Sequence, residues 1–466
     1  MSFLHLVIKQ MRQRSLSTWL TLLSVMLGVG LAISIMIFRR EGEKLFGQSD
    51  YGYDLLIGAK GSRLQLVLNS VYHLDVSPGN IPYSMYQQLS VKDHPLVQWA
   101  LPMAVGDEYN GYRVVASLPN LFPIDSQGQR IDRNKVFEYR LNQVLEFAEG
   151  RPFDPLKFEA VIGSEVAKQS DLRVGSAFKV QHGLADARRP GDIHDEKWTV
   201  VGILKETQTA ADKAIYIPLI SFYAIGEHEK GLQEMAQLEH GQTPGTSPST
   251  QTAPEDNDAD EHAGHHHSYD LRPDGTIHLH LPQEKWKVSA IFVRTRGGFE
   301  SASLTWQMNN QPYAMAASPA IVMREFYSTF LKGTALMLWL IALLVTIVAA
   351  VSILVSIYNA VSARLREIAV LRALGATRQR VLALICVEAG AIGLLGSLAG
   401  LIIGHLLGAG ASPFVQRLVG RRIAWLATDW GEWLYLVLVV VLAVVAGLVP
   451  ALKAYRTPVA TYLVSE

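Results

Sequence analysis

Apolar residues are concentrated in four long runs, at residues 19–38, 336–358, 381–407 and 433–452. A helix rising about 1.5 Å per residue needs about 20 apolar residues to cross a bilayer. Because backbone polar groups find no water in hydrocarbon, each run has to satisfy its own hydrogen bonds as a helix. The pattern therefore predicts four transmembrane helices, and residues 41–332 contain no run of comparable length.

Residues 1–18, ahead of the first long run, carry a weaker pattern. Their apolar positions recur at helical spacing: Phe3, Leu4, Val7, Ile8 and Met11. This spacing is typical of an amphipathic helix on the cytoplasmic membrane surface, although a plain helical lead-in fits it equally well. The first run is too long for the core of a signal peptide and ends in Arg39 and Arg40, so we interpret it as an uncleaved anchor.

Charge is distributed unevenly between the connecting segments. The N-terminal arm, residues 359–380 and the C-terminal tail at 453–466 together hold ten basic and two acidic residues. Residues 41–332 hold 27 Lys and Arg against 37 Asp and Glu, a net charge of −10. Since Lys and Arg in short loops mark the cytoplasmic side, we expect both termini in the cytoplasm. Residues 41–332 and a short loop at 408–432 then lie on the far side of the membrane.

The long extracytoplasmic segment, residues 41–332, is predicted to be an α+β domain. Short runs rich in β-branched residues alternate with glycine turns and with helical patterns. Strands are predicted at 113–117, 159–162, 177–180, 198–204, 214–218 and 288–294, and helices at 164–169 and 299–309. The single cysteine, Cys386, lies in the third apolar run, which excludes a disulfide or a thiol-based active site outside the membrane.

Residues 226–283 break this pattern, because they are rich in Pro, Ser, Thr, Gly and acids and contain few apolar residues. Such a composition predicts a flexible insert that cannot fold by itself. Eight of the fourteen histidines of the chain lie here, among carboxylates, and this is the ligand set that suits Zn²⁺. Two interpretations remain open, a metal-binding tract and a solvated loop with incidental histidines.

The candidate metal ligands are His262, His265, His266, His267, His278 and His280. If residues 277–281 form a strand, His278 and His280 point to the same face, which makes them the most specific pair. No HExxH motif accompanies them, so the sequence does not predict a zinc hydrolase.

The third apolar run has a glycine every four residues: Gly396, Gly400, Gly404 and Gly408. Glycines at this spacing share one side of a helix and predict close packing against another helix. Glu388 and His405 are ionisable residues in the same run. Such a group is a functional candidate by default, although Glu388 could equally reach the membrane boundary with its side chain.

A charged segment joins the second and third runs at residues 359–380. Its apolar residues recur at three-residue spacing: Leu365, Ile368, Leu371 and Leu374. Arginines and Glu367 surround this stripe, so the segment predicts a helix that is buried against a partner on one side.

Several segments resemble one protein family. RLREIAVLRALGATRQRV at 364–381, the glycine-rich run and GLVPALKAYRTPVATYL near the C-terminus are similar to the permease domain of MacB/FtsX-type ABC transporters, the type VII family. FEAVIGSEVAKQSDLRVGSAFKV and WTVVGILKETQTAADKAIYIPL are similar to the periplasmic core domain of that family. Ala369 stands where the family often has glycine, and the His-rich insert is not a general family feature.

The resemblance implies a homodimer of four-helix subunits in the bacterial inner membrane, each with a large α+β periplasmic domain. A cytoplasmic ABC ATPase dimer would bind ATP and seat a coupling helix of the permease in a groove. The residues that the resemblance assigns to this coupling are Arg364, Arg366, Glu367, Leu371, Arg372 and Gly375. Force would then pass to the periplasmic domain by mechanotransmission, without a substrate tunnel through the membrane.

The chain has no GxxxxGK[ST] phosphate loop, so we expect a permease without catalytic residues. We also expect no nucleic-acid partner. Two functions remain open. One is a transporter permease for an envelope substrate, such as zinc or a metal carrier, with a periplasmic binding protein as a partner. The other is a signalling protein in which the ATPase controls a periplasmic envelope enzyme and nothing is transported.

Overall fold

The structure is a computed structural model, and it describes residues 15–46, 50–182, 193–225, 269–373, 376–419 and 423–456. The chain divides into two compact units. The helical unit comprises Met1–Phe46, Tyr327–Arg417 and Arg422–Glu466. The sheet unit comprises Gly47–Phe326 and Leu418–Arg421.

In the part of the helical unit that the structure describes, there are five helices and one π-helical turn. They are α1 (Ser15–Phe46), a π-helix at Tyr327–Leu331, α8 (Lys332–Ala363), α9 (Leu365–Ala373), α10 (Arg378–Val419) and α11 (Trp430–Arg456). Within the described residues, four segments are long and apolar enough to cross a membrane: Ser15–Lys44, Leu336–Ala363, Arg378–Gln416 and Trp430–Lys453. The four predicted runs lie inside these four helices.

The sheet unit contains shorter elements. Its helices are α2 (Arg63–Tyr72), α3 (Tyr83–Leu89), α4 (Ser164–Gln169), α5 (Leu219–Tyr223), α6 (Gly298–Asn309) and α7 (Pro319–Phe326). Its strands are β1 (Leu55–Ala59), β2 (Ile81–Pro82), β3 (Val97–Tyr109), β4 (Tyr112–Ser117), β5 (Phe147–Gly150), β6 (Glu159–Ile162), β7 (Ala177–Phe178), β8 (Gln181–His182), β9 (Trp198–Leu204), β10 (Ile215–Pro218), β11 (Tyr269–Leu271), β12 (Ile277–Leu279), β13 (Lys287–Val288), β14 (Ala290–Thr295) and β15 (Ala314–Ala317).

Eleven of these strands form one mixed sheet in the order β15-β1-β14-β3-β4-β10-β6-β9-β5, with β7 added on β9 and β8 on β3. The pairs β10/β4 and β6/β9 are parallel, and the other pairs are antiparallel. The long strand β3 pairs with β14 through its first half and with β4 through its second half, with an irregularity between Val105 and Glu108. A mixed sheet with helices on it agrees with the predicted α+β class.

Large aromatic side chains are buried in the core of the sheet unit. Tyr223 and Trp286 stack with their ring centroids 4.7 Å apart, and both are buried. Trp198 is fully buried and donates from Nε1 to the Ser221 hydroxyl at 3.1 Å. Burying a large apolar side chain stabilises a fold by about 1.5–3 kcal/mol, so a domain without disulfides is held by packing of this kind.

The third membrane helix is longer than predicted. We expected the apolar run to end at residue 407 and a loop to occupy 408–432, but α10 continues to Val419 and passes Pro413. The proline removes one backbone donor without ending the helix, and Ala411 and Val415 on either side of it pack against the buried cluster of the helical unit. The connection to α11 is correspondingly short.

Two other predicted boundaries also change. Residues 15–18, assigned to a surface helix, belong to α1, and residues 1–14 lie outside the described part of the chain. The predicted flexible insert ends earlier than residue 283, because β11 and β12 form a hairpin within it. Ile277 is buried and its N–H donates to the Leu156 carbonyl at 2.7 Å, which ties the hairpin to the domain.

Candidate functional site

The glycines of α10 lie against α1. A Cβ atom added to Gly400 would lie 2.6 Å from the Cβ of Val29 and 2.8 Å from the carbonyl oxygen of Met26. The same arrangement recurs one turn away on each side, with Gly396 against Val25 at 2.7 Å and Gly404 against Ile33 at 2.7 Å. Gly408 differs, because its added Cβ would make an ordinary contact with Ile37 at 3.6 Å. Along this seam between α1 and α10, the backbone of α10 at its glycines therefore contacts the β-branched side chains of α1 directly.

A second close contact joins α10 to α11, and the sequence pattern did not reveal it. An added Cβ at Gly393 would lie 2.5 Å from the Cβ of Ala443, and one at Gly447 would lie 2.5 Å from the Cβ of Ala389. These glycines are far apart in sequence and show no regular repeat. Small residues thus let α10 approach α1 on one side and α11 on the other.

A network of charged side chains lies in the helical unit near the ends of α1 and α10 and the start of α11. Glu432 is 1% exposed and sits 3.3 Å from Arg40 and 3.1 Å from Nε2 of His405. Glu41 is 4% exposed at its side chain and accepts from Lys44 at 2.9 Å. Two cations and one histidine thereby accompany two buried carboxylates.

Backbone carbonyls complete this network. Arg40 donates to the carbonyl of Ala427 at 2.5 Å, and Nδ1 of His405 contacts the carbonyl of Trp425. The N–H of Ala424 donates to Glu41 at 3.4 Å. Arg40 follows the first apolar run, on the side that is expected to be extracytoplasmic, where the charge rule does not favour a basic residue. Its pairing inside the protein gives a physical reason for its position. The other ionisable candidate, Glu388, is buried at 8% exposure on α10.

The predicted coupling segment forms a short helix, α9, between two membrane helices. Arg364 lies at the turn before it, while Arg366, Glu367, Leu371 and Arg372 lie on its backbone. Gly375 lies outside the described residues. The helix is preceded directly by α8 and followed closely by α10.

The apolar stripe of α9 is used differently from what its sequence predicts. Leu365 and Ile368 are half-buried and pack against the buried cluster of the long helices of the same chain, so this half of the stripe offers less surface to a partner than its sequence predicts. Arg366, Val370 and Ala373 recur at the i, i+4 and i+7 positions and are exposed. A partner would meet this second face, which is basic at one end and apolar further along.

Candidate metal ligands come together on the β11/β12 hairpin of the sheet unit. His278 and His280 lie near each other, with ring centroids 5.9 Å apart, and Nε2 of His280 lies 2.9 Å from Oδ2 of Asp270. Asp270 was not among the predicted ligands, because its position opposite His278 depends on the strand register. The predicted ligands His262, His265, His266 and His267 lie outside the described residues.

The sheet unit also has a half-open cavity of about 730 Å³. Trp99 and Tyr86 contribute aromatic surface to its wall, and Lys92, Lys135 and Arg296 contribute positive charge. A basic and aromatic lining can accept the carboxylate end of a peptide or another anionic group.

Comparisons with known proteins cover both units. Residues 18–251 match the family described as MacB-like periplasmic core domain, and residues 339–459 match the family described as FtsX-like permease C-terminal. An uncharacterized ABC transporter permease of Methanocaldococcus jannaschii is 29% identical over 125 residues. That alignment covers 25% of this chain and 30% of the relative.

Proposed function

Because the chain belongs to the family of MacB/FtsX-like ABC transporter permeases, we propose that it couples ATP hydrolysis by a separate cytoplasmic ATPase to movement of its own periplasmic domain. The observation that carries this proposal is α9, a helix between two membrane helices with a basic and apolar face turned to solvent. The given residues contain no phosphate-binding GxxxxGK[ST] motif, and we propose that a second polypeptide hydrolyses the ATP.

The membrane helices favour transmission of force over passage of a polar substrate. Ionisable groups in them are few, and Glu432 and His405 are engaged with each other at 3.1 Å. A polar path through the bilayer would need such groups to face water. We infer mechanotransmission by a permease homodimer that sits in the bacterial inner membrane with both termini in the cytoplasm.

The cargo that we propose is a transition metal such as zinc, or a periplasmic protein that carries it. The support is the histidine-rich composition of residues 226–283 together with the ligand-type side chains on the adjoining hairpin. A periplasmic binding protein would then deliver or receive the metal at the sheet unit.

The orientation can be tested with two matched cysteine variants in a Cys386→Ala background. Ala373 on α9 and Ala302 on α6 are both exposed helical alanines. In intact inner-membrane spheroplasts, we expect a membrane-impermeant maleimide to label Ala302→Cys and to spare Ala373→Cys until the membrane is opened. Labelling of Ala373→Cys in sealed spheroplasts would contradict a cytoplasmic position for α9 and with it the proposed coupling.

Coupling itself is tested by reversing the exposed face of α9. We expect Arg366→Glu with Val370→Asp to abolish co-purification of the ATPase. The first change would place a negative charge against a groove that is proposed to bind a basic face, and the second would bury an unpaired carboxylate at the interface. The permease should still be extracted as a folded protein, since both side chains are exposed.

The matched control also replaces one exposed arginine by glutamate and one exposed β-branched residue by aspartate, but on another helix. Ile321 and Arg324 of α7 are exposed, and Ile321→Asp with Arg324→Glu should leave ATPase co-purification at the level of the unmodified protein. Co-purification retained by the α9 variant at that level would show that the ATPase does not use this face. If the α9 variant loses the ATPase while a reporter of metal uptake is unaffected, the regulatory role without transport is favoured.

A further inference from the structure

We propose that Asp270, His278 and His280 form an exchangeable binding site for Zn²⁺ on the β11/β12 hairpin. The ligand atoms of these three side chains, one imidazole nitrogen from each histidine and one carboxylate oxygen, lie within 4.8 Å of one another. The site consists of described residues alone.

Strand register places the three side chains on one face. Asp270 of β11 is the direct cross-strand partner of His278 of β12. Side chains alternate between faces along a strand, so His280, two residues further on, points to the same side as His278. Directly opposite residues have Cβ atoms about 4.5–5.5 Å apart, a spacing that one metal ion can bridge.

The observed contacts are close to those of a bound metal. Nε2 of His280 lies 2.9 Å from Oδ2 of Asp270, and the rings of the two histidines are 5.9 Å apart between centroids. Zinc binds imidazole nitrogen and carboxylate oxygen at about 2.0–2.2 Å, so neighbouring ligand atoms around it are about 3–3.5 Å apart. The three ligand atoms lie within 4.8 Å of one another, so metal binding requires His278 to come closer to the other two.

The hairpin holds these ligands in place independently of any metal. Ile277 is buried and its N–H donates to the Leu156 carbonyl, and the ring of Tyr269 packs edge-on to Phe158 with centroids 5.3 Å apart. At the turn, Asp274 accepts from the hydroxyl of Thr276 at 2.7 Å. Ligands carried by anchored strands lose less conformational entropy on binding than ligands on a free loop.

Exposure indicates how the site would be used. The side chains of Asp270 and His280 are 74% and 53% exposed, and the described residues supply three protein ligands. Structural zinc sites are closed by four protein ligands, whereas sites with three leave a position for water or for an incoming group. An open position on the surface lets a carrier take the metal up or hand it over by ligand exchange.

The site is tested on the full-length permease in detergent, with Zn²⁺ alone as the titrant in calorimetry. The background variant replaces His262, His265, His266 and His267 by glutamine, so that binding at the hairpin is measured separately from these histidines. We expect one Zn²⁺ per chain to bind to this background. Co²⁺ in its place should give the intense visible absorption of a four-coordinate site.

Three further variants in this background remove one ligand each: Asp270→Asn, His278→Gln and His280→Gln. Each should weaken Zn²⁺ binding at least about tenfold, because even groups outside the ligand sphere cost 10–100-fold in metal affinity when removed. Glu284→Gln is the matched control, since it changes an exposed carboxylate to an amide on the same segment and should leave the affinity unchanged.

Two results would overturn the proposal. One is that the four-histidine background binds no Zn²⁺, and the other is that the three ligand variants bind as tightly as Glu284→Gln. Because the readout is metal affinity and not ATPase recruitment, failure here is distinguishable from failure of the proposed coupling.

Discussion

The variant Glu432→Ala is expected to lose about 3–5 kcal/mol of stability, because it leaves Arg40 beside a space that its partner carboxylate occupied. Arg40 lies 3.3 Å from Glu432 with 20% of its side chain exposed, and His405 loses its 3.1 Å partner at the same time. In the detergent-solubilised permease, this loss should appear as a large fall in the midpoint of thermal unfolding.

The control for this prediction is an ion pair that water surrounds. Lys205 and Glu146 lie 2.8 Å apart with 60% and 59% of their side chains exposed. Exposed pairs contribute about 0–1 kcal/mol, so Glu146→Ala should barely move the midpoint. The double variant Arg40→Leu with Glu432→Leu should recover much of what Glu432→Ala loses, since no charge is left unpaired. Equal midpoints for Glu432→Ala and Glu146→Ala would mean that the buried network contributes nothing.

The second large effect is expected from Gly400→Ala. The new methyl group would fall 2.6 Å from the Cβ of Val29 and 2.8 Å from the Met26 carbonyl, and neither of these atoms is the end of a flexible side chain. The helices have to separate locally, at a cost of about 1–3 kcal/mol for overpacking. A lower midpoint of unfolding and faster proteolysis of the α1 and α10 segments would report this separation.

The same substitution elsewhere on α10 provides the comparison. At Gly408 the added Cβ would make an ordinary contact at 3.6 Å, and at Gly410 it would find no atom within 4 Å. Both Gly408→Ala and Gly410→Ala should be neutral or slightly stabilising, because alanine favours the helix more than glycine does. If all three variants unfold at the same temperature, the seam is looser than the distances indicate.

The length of the apolar runs was enough to locate four helices of the described chain that are long and apolar enough to cross a membrane, because an apolar run of this length has few other structures available to it. Short strands such as β4, β6 and β9 also lie where β-branched residues predict them. The long strand β3 was missed, because Pro102 and Gly106 interrupt the pattern of β-branched residues by which a strand is predicted.

Features that depend on distant parts of the chain could not be predicted. Arg40 and Glu432 are 392 residues apart, and no local pattern links them. Asp270 lies beside the two histidines because of the strand register of the β11/β12 hairpin. The polar residues around this hairpin led us to predict it as part of the flexible insert. The apolar stripe of α9 predicted that one side of the helix is buried against a partner. The sequence alone did not indicate that Leu365 and Ile368 pack against helices of their own chain.

The four-residue repeat of the seam between α1 and α10 has a mechanical consequence. Gly396, Gly400 and Gly404 each accommodate one side chain of α1, namely Val25, Val29 and Ile33. Successive glycines are four residues apart, which is about 6 Å along the helix axis at 1.5 Å per residue. If α1 slid along α10 by less than this distance, its β-branched side chains would clash with larger residues of α10. The packing therefore opposes small sliding movements of one helix along the other. Under the proposed coupling, a force that α9 applied to the start of α10 would therefore act on α1 as well.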